Sequence, residues 1–258
     1  MGFLTDLVER TRRELERKPL DDAVLMARAM ARPPARDFEG ALRARVPALI
    51  AEVKRASPSA GAIAESADPV AQARACVAGG AAAISVLTEP LHFHGSLGDL
   101  EAVRVAVSVP VLRKDFLVLP SQVIEARARG ADAVLLIAAA LPGDELAAML
   151  DIARDLGMGA LVETHGEADL ERVVATGASV IGVNARDLET LQVDVERALL
   201  QLATVPGDRC AVMESGIATR RQAMAAEHAG ASAILVGEAL MRAEDPAAMV
   251  RELLGEDR

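Results

Sequence analysis

The chain carries 28 lysines and arginines, and only three of them are lysine: Lys18, Lys54 and Lys114. Two of the three close short apolar runs, ALIAEVK (48–54) and VPVLRK (109–114). A protein that otherwise uses arginine for positive charge keeps lysine where a compact, titratable ammonium is needed. Glu52 stands two residues before Lys54, so in a strand both side chains project from one face. Glu163 closes a third run, GALVE (159–163), and Asn184, the single asparagine, closes a fourth, GASVIGVN (177–184). Brought together, Glu52, Lys54, Lys114 and Glu163 make a mixed cluster of acids and bases suited to proton transfer. The competing reading is an ion-pair network that only supports the fold. Arg113 and Asp115 flank Lys114 and by the same alternation point the other way.

A second group of residues suits an anion. ESGI (214–217) and VGEALM (236–241) put glycine directly after two further apolar runs. Backbone N–H groups at Gly216 and Gly237, the hydroxyls of Ser57 and Ser215, and a helix starting near Glu238 would cradle a phosphate, as loops after the last two strands of a barrel commonly do. Glu238 is then expected to offer its N–H and turn its carboxylate away. Ordinary turn glycines are the alternative. The histidines His92, His94, His165 and His228 lack metal-ligand spacing, and Cys76 and Cys210 are too few and too far apart for a zinc cluster or a disulfide framework. No metal and no cofactor are expected.

Elements must bring these positions together. From about residue 46 one unit recurs: an apolar strand, a polar loop, a helix-patterned stretch and a Gly-Ala step into the next strand. The step is plain in GGAAAISVL (79–87), GADAVLLI (130–137), GASVIGVN and GASAILVG (230–237). Each reads as a helix-terminating glycine, a tight turn and a buried parallel strand. ALIAEVK, VPVLRK, GALVE and CAVMES (210–215) bring the strands to eight. Eight strands alternating with helices predict the α/β class, as a closed (β/α)8 TIM barrel. A doubly wound open sheet is the other topology; it usually carries a Gly-rich fingerprint after its first strand, and here that loop reads RASPSAG. Residues 1–45 do not fit the repeat. Pro33-Pro34 divides them into a helical segment near 2–31 and a short one near 37–44. They read as a helical extension packed on the barrel and are too few for a core of their own, so residues 1–258 are expected to form one domain.

Composition agrees with that frame. The 258 residues match the roughly 250 typical of such barrels. Apolar residues make up 52%, yet aromatics only 2%, with no Trp or Tyr, so the core must be filled by Ala, Val, Leu and Ile, as in buried parallel strands. A net charge of −10 argues against nucleic acid or an anionic membrane as the main partner. It leaves a small phosphorylated substrate open. No apolar run reaches the roughly 18 residues of a membrane span. The amphipathic N-terminus MGFLTDLVERTRRELERK has neither the apolar region nor the cleavage site of a signal peptide. A cytoplasmic protein is expected, as a monomer or weak homo-oligomer.

From Asp37 to Pro246 the sequence resembles the indole-3-glycerol-phosphate synthase family. The resemblance is carried by IAEVKRASPS (50–59), SVLTE (85–89) with FHGS (93–96), PVLRKDF (110–116), LVETH (161–165), IGVNARDL (181–188), ESGI and ILVGEALMR (234–242), in family order. EVKRASPS together with LRKDF is the specific part. The resemblance implies a carboxy-lyase of tryptophan biosynthesis, acting on 1-(2-carboxyphenylamino)-1-deoxyribulose 5-phosphate. It implies that Lys114 is the acid of ring closure and that Glu163 and Lys54 serve the later dehydration. Glu52 and Asn184 then hold substrate hydroxyls and the lysines. Phe93, Phe116 and Leu135 wall the aryl ring, Arg186 is a positive contact, and Ser57, Glu214, Ser215, Gly216, Gly237 and Glu238 belong to the substrate- and phosphate-binding loops. The chain departs from the family at Ala60, commonly lysine, at His94, often glycine, and at Ala185, often asparagine. A Schiff-base aldolase, a sugar-phosphate isomerase and a non-catalytic binding barrel are the rival readings. Two scarce lysines at strand ends count against the last two.

Overall fold

The computed structural model describes residues 2–256. Eight parallel strands close on themselves in sequence order: β1 (Ala48–Val53), β2 (Ala83–Leu87), β3 (Val111–Lys114), β4 (Ala133–Ile137), β5 (Gly159–Thr164), β6 (Val180–Asn184), β7 (Cys210–Glu214) and β8 (Ala233–Val236). β8 pairs back onto β1 with Ile50 opposite Leu235, so the sheet is a closed barrel rather than an open, doubly wound one. The strands are mostly apolar because both of their faces are covered, and their charged residues lie toward the C-terminal ends. Alternation divides the core in two. Ile50, Leu112, Leu135, Leu161, Val212 and Leu235 fill the barrel axis. Leu49, Ile84, Val134, Leu136, Val162 and Ile234 face the surrounding helices. Continuing the inward parity to the C-terminal strand ends reaches Glu52, Lys114, Glu163, Asn184, Glu214 and Gly237. Arg113, of opposite parity, turns outward to Glu125 at 3.0 Å and Asp115 at 3.0 Å. The Gly-Ala steps behave as expected: Gly80 and Gly230 end their helices at φ of 102° and 103°, where a side chain would be strained.

The N-terminal segment expected as one helix near 2–31 is two, α1 (Phe3–Arg17) and α2 (Asp22–Met30). Pro19 disfavours helical geometry at the residue before it, and Lys18 leaves the helix at φ −135°, ψ 76°. Asp21 then starts α2 by accepting from the Val24 N–H at 3.0 Å. The third helix, α3 (Phe38–Arg43), lies within the expected 37–44. It plugs the bottom of the barrel, where Phe38 packs so close to Gly159 that a Cβ there would stand 2.9 Å from Phe38 Cβ. Below β4, the fully buried Asp132 accepts the N–H groups of Arg36 (2.7 Å) and Val111 (2.9 Å) and pairs with Arg104 (2.8 Å). This fastens the α2–α3 connection to the barrel floor.

At the other end of the barrel, α1 docks beside the mouth. Phe3 and Leu4 donate their N–H groups to the carbonyls of Glu189 (3.2 Å) and Leu188 (3.1 Å). The Glu189 side chain accepts from Thr5 N at 3.3 Å and Thr5 Oγ1 at 2.5 Å. Gly2, the residue preceding α1, offers no capping side chain, so the free N–H groups of the first turn are capped from the loop after β6. Among the described residues no helix is long and apolar enough to cross a membrane.

Candidate active site

Three carboxylates and two ammonium groups converge at the C-terminal mouth. Lys114 Nζ lies 3.3 Å from Glu214, 3.5 Å from Glu52 and 3.8 Å from Glu163, while Lys54 Nζ lies 2.8 Å from Glu52. Burial would push the Lys114 ammonium toward neutrality, but Glu214, Glu52 and Glu163 together outweigh it and raise its pKa above the ordinary lysine value. Burial likewise works against the Glu52 carboxylate, and the two lysines overcome it, lowering its pKa to about 2. Glu214 goes the other way. Burial and the nearby Glu163 and Glu52 prevail over Lys114 and lift it to about 8. Its buried oxygens make no well-aligned hydrogen bond, although Lys114 is close. Gly182 on β6 leaves it room: a Cβ there would fall 2.1 Å from Glu214 Oε1.

Asn184 organises the flank of this cluster. Its Nδ2 donates to Glu163 Oε1 at 3.0 Å, and its Oδ1 accepts from Arg186 N at 2.9 Å and Ser215 Oγ at 2.8 Å. The Ser215 hydroxyl, expected to donate to a phosphate, is therefore committed to Asn184. Ser215 and Gly216 both take positive φ (65° and 75°), turning the chain sharply after β7. Gly237 serves a purpose the sequence did not suggest. A Cβ there would stand 2.6 Å from Glu52 Oε1 and 3.0 Å from Lys54 Nζ, so its bareness makes space for the Glu52–Lys54 pair. The helix after it (Glu238–Arg242) is only five residues long, and the Glu238 carboxylate turns to Arg242 Nε at 3.0 Å.

All fifteen residues singled out from the sequence line one cavity that opens at the mouth. The charged cluster forms its floor. Ser57, Ser215, Gly216 and Gly237 lie round one side, and Phe93, Phe116 and Leu135 belong to the apolar lining. Phe3, Leu188 and Leu191 also line the cavity and were missed. Phe3 sits on α1, 6.3 Å from Phe116 ring to ring, and strand-end reasoning could not reach it. Its one signal was that Phe is scarce, with four in the chain. Among the described residues no His, Cys, Asp and Glu side chains are grouped as metal ligands.

A closed parallel barrel with acids and bases converging at the carboxyl ends of its strands is a (β/α)8-barrel enzyme site. The profile described as indole-3-glycerol phosphate synthase matches residues 4–253. An indole-3-glycerol phosphate synthase of Mycobacterium avium is 53% identical over 230 residues, covering 89% of this chain and 85% of the relative. One from a Nocardioides species is 49% identical over 257 residues, covering 99% of both. The chain belongs to the indole-3-glycerol phosphate synthase family. More distant solved structures share the fold alone: a 3-hexulose-6-phosphate synthase (TM-score 0.64, 22% identity, covering 81% of this chain and 99% of that one) and a thiamine phosphate pyrophosphorylase from Pyrococcus furiosus (TM-score 0.61, 19% identity, covering 83% and 96%).

Proposed function

We propose that this mouth closes the indole ring of 1-(2-carboxyphenylamino)-1-deoxyribulose 5-phosphate, with Lys114 as the acid of the first step. The observation that carries this reading is the Lys114 ammonium within 3.8 Å of three glutamates. As the ring carbon bearing the carboxylate attacks the ketone, negative charge develops on the ketone oxygen. A firmly charged ammonium stabilises that oxygen and hands over its proton as the oxygen becomes the stronger base. The new carbon–carbon bond leaves the ring non-aromatic, and loss of carbon dioxide returns the electron pair to it. Lys54 then protonates the departing hydroxyl, which leaves as water, while Glu163 takes the proton from the adjacent carbon. Glu52 holds the two lysines apart, and Asn184 aims Glu163. Phe93, Phe116 and Leu135 receive the aryl ring, Arg186 faces negative charge on the substrate, and the Ser57–Gly216–Gly237 side, with Glu238 contributing backbone alone, receives the phosphate.

A Schiff-base aldolase working through Lys114 is disfavoured because its lysine must be a neutral amine before it attacks, and three glutamates hold Lys114 protonated. Lys114→Ala should lower single-turnover ring closure by roughly 10²–10⁴-fold, the usual worth of a positioned acid, with substrate affinity largely kept. Indole fluorescence after mixing reads the rate. Turnover near that of the unaltered protein removes Lys114 from the role, and borohydride trapping of substrate on Lys114 would restore the aldolase reading.

A further inference from the structure

The loop that delivers Phe93 to the cavity is held by one carboxylate. Glu89, two residues beyond β2, is 4% exposed. Its Oε1 accepts from Leu91 N at 3.1 Å, and its Oε2 accepts from His92 N at 2.6 Å and Phe93 N at 3.1 Å. Arg10, on α1, donates to Oε1 at 3.2 Å. The Glu89 backbone carbonyl accepts from Gly95 N at 3.0 Å, so residues 89–95 close on themselves. Within that turn His94 has φ of 54°, a left-handed conformation that is strained for a non-glycine residue and persists only where its surroundings enforce it. Beyond it Arg55 donates to the His94 carbonyl at 3.0 Å. Phe93 reaches Phe116 with ring centroids 6.1 Å apart. His92 packs edge-on to Phe3 of α1 at 5.1 Å and meets Arg10 at 3.4 Å.

A buried carboxylate that accepts three consecutive loop N–H groups and one guanidinium fits one loop conformation, because any other leaves its charge unsatisfied. We propose that Glu89 is a positioning residue for the family reaction: it locks the 90–94 loop and the docked helix α1 together so that Phe93 stands against Phe116 as a preformed wall for the substrate's aryl ring. Its charge does not reach the reacting atoms. It acts through Phe93, and its effect falls on binding of the aryl half of the substrate, in ground state and transition state alike. The inference rests on the aryl-wall reading given above.

The test compares two competitive ligands on Glu89→Gln and Glu89→Ala. One is the substrate with its ketone reduced to an alcohol, and the other is ribitol 5-phosphate, which lacks the ring. Loss of two or more loop hydrogen bonds should raise KM, and Ki for the arylated ligand, about tenfold or more. kcat and Ki for ribitol 5-phosphate should change little. Arg10→Met, which leaves the three loop contacts in place, should show the same pattern more weakly and serves where the Glu89 variants do not fold. A fall in kcat at unchanged KM, an equal loss for both ligands, or no loss for either overturns the role of Glu89. Phe93→Ala separates the two readings. If it leaves the arylated ligand bound as before, the aryl wall itself is wrong. If it weakens that ligand while Glu89→Gln does not, only the positioning role falls.

Discussion

The Lys114 ammonium faces more negative charge than one lysine can balance, and the mouth resolves the excess on Glu214. With Glu214 protonated, Glu52 and Glu163 match Lys54 and Lys114 one for one. Glu214 has a folded-state pKa of about 8 against an ordinary 4.5, so the folded protein keeps a proton that the unfolded chain loses. Stability must then fall as pH rises from about 4.5 through about 8. Glu52, depressed to about 2, works in the opposite sense, stabilising above 4.5 and losing that contribution as pH falls toward 2. Denaturation midpoints measured from pH 5 to 8 should therefore decline less steeply for Glu214→Gln than for the unaltered protein. Parallel curves would mean that Glu214 ionises normally. The residues proposed for dehydration give a second prediction. Glu163→Gln and Lys54→Arg should each slow turnover by roughly 10²–10⁴-fold and accumulate a ring-closed, undehydrated species. Mass analysis of quenched reactions that finds only substrate would reject the division between early and late acids. The cluster was legible from scarcity: three lysines and one asparagine left few candidates. Its charge state was not, because whether a buried glutamate is ionised depends on distances that residue order does not give. In the sequence Glu89 is only the last residue of SVLTE (85–89), since its hydrogen bonds run to backbone groups and to a helix nearly eighty positions earlier.

At the scale of elements, strand alternation fixes most of what the site needs. The residues two apart along each strand that fill the axis lead directly to the charged ends, which is why the eight strands and most of the cavity could be read from apolar runs and their punctuation. Loops were less transparent. Gly237 looked like a phosphate-loop glycine, yet the atoms nearest its absent side chain are Glu52 Oε1 and Lys54 Nζ. Gly237→Val should therefore reduce kcat as well as raise KM, because the added carbons displace the ion pair that holds Lys54. Steady-state kinetics showing a KM effect alone would return the glycine to the phosphate. The break between α1 and α2 was also missed. Helical periodicity continues across Lys18-Pro19, and Pro33-Pro34 drew attention as the stronger stop. The departure at His94 gains a physical meaning here: histidine occupies a φ that suits glycine, and Glu89, Arg55 and Gly95 hold the turn around it.

The molecule as a whole separates stability from chemistry along the barrel axis. The floor is tied by Asp132 to Arg36, Arg104 and the N–H of Val111. Asp132→Ala should cost roughly 2–4 kcal/mol of unfolding free energy by leaving the buried Val111 N–H unpaired and the half-buried Arg104 without its partner, with kcat/KM of the folded protein unchanged. Chemical denaturation and steady-state kinetics on the same sample read both, and a parallel loss of activity would show that the floor and the mouth are coupled. The mouth, by contrast, is finished by α1, whose first turn is capped from Glu189, 184 positions later in the chain. That separation sets an order of events during synthesis. At about 5–20 residues per second, α1 leaves the ribosome roughly 10–40 s before its capping carboxylate exists. Until then Leu4 and Leu7 have no barrel rim to cover them, and the short amphipathic helix is marginal alone. The strands can pair as they emerge, but the cavity wall to which Phe3 belongs cannot be completed before the sixth strand and its loop have been made. α1 is thus made long before Glu189 and is among the last of these elements to find its place.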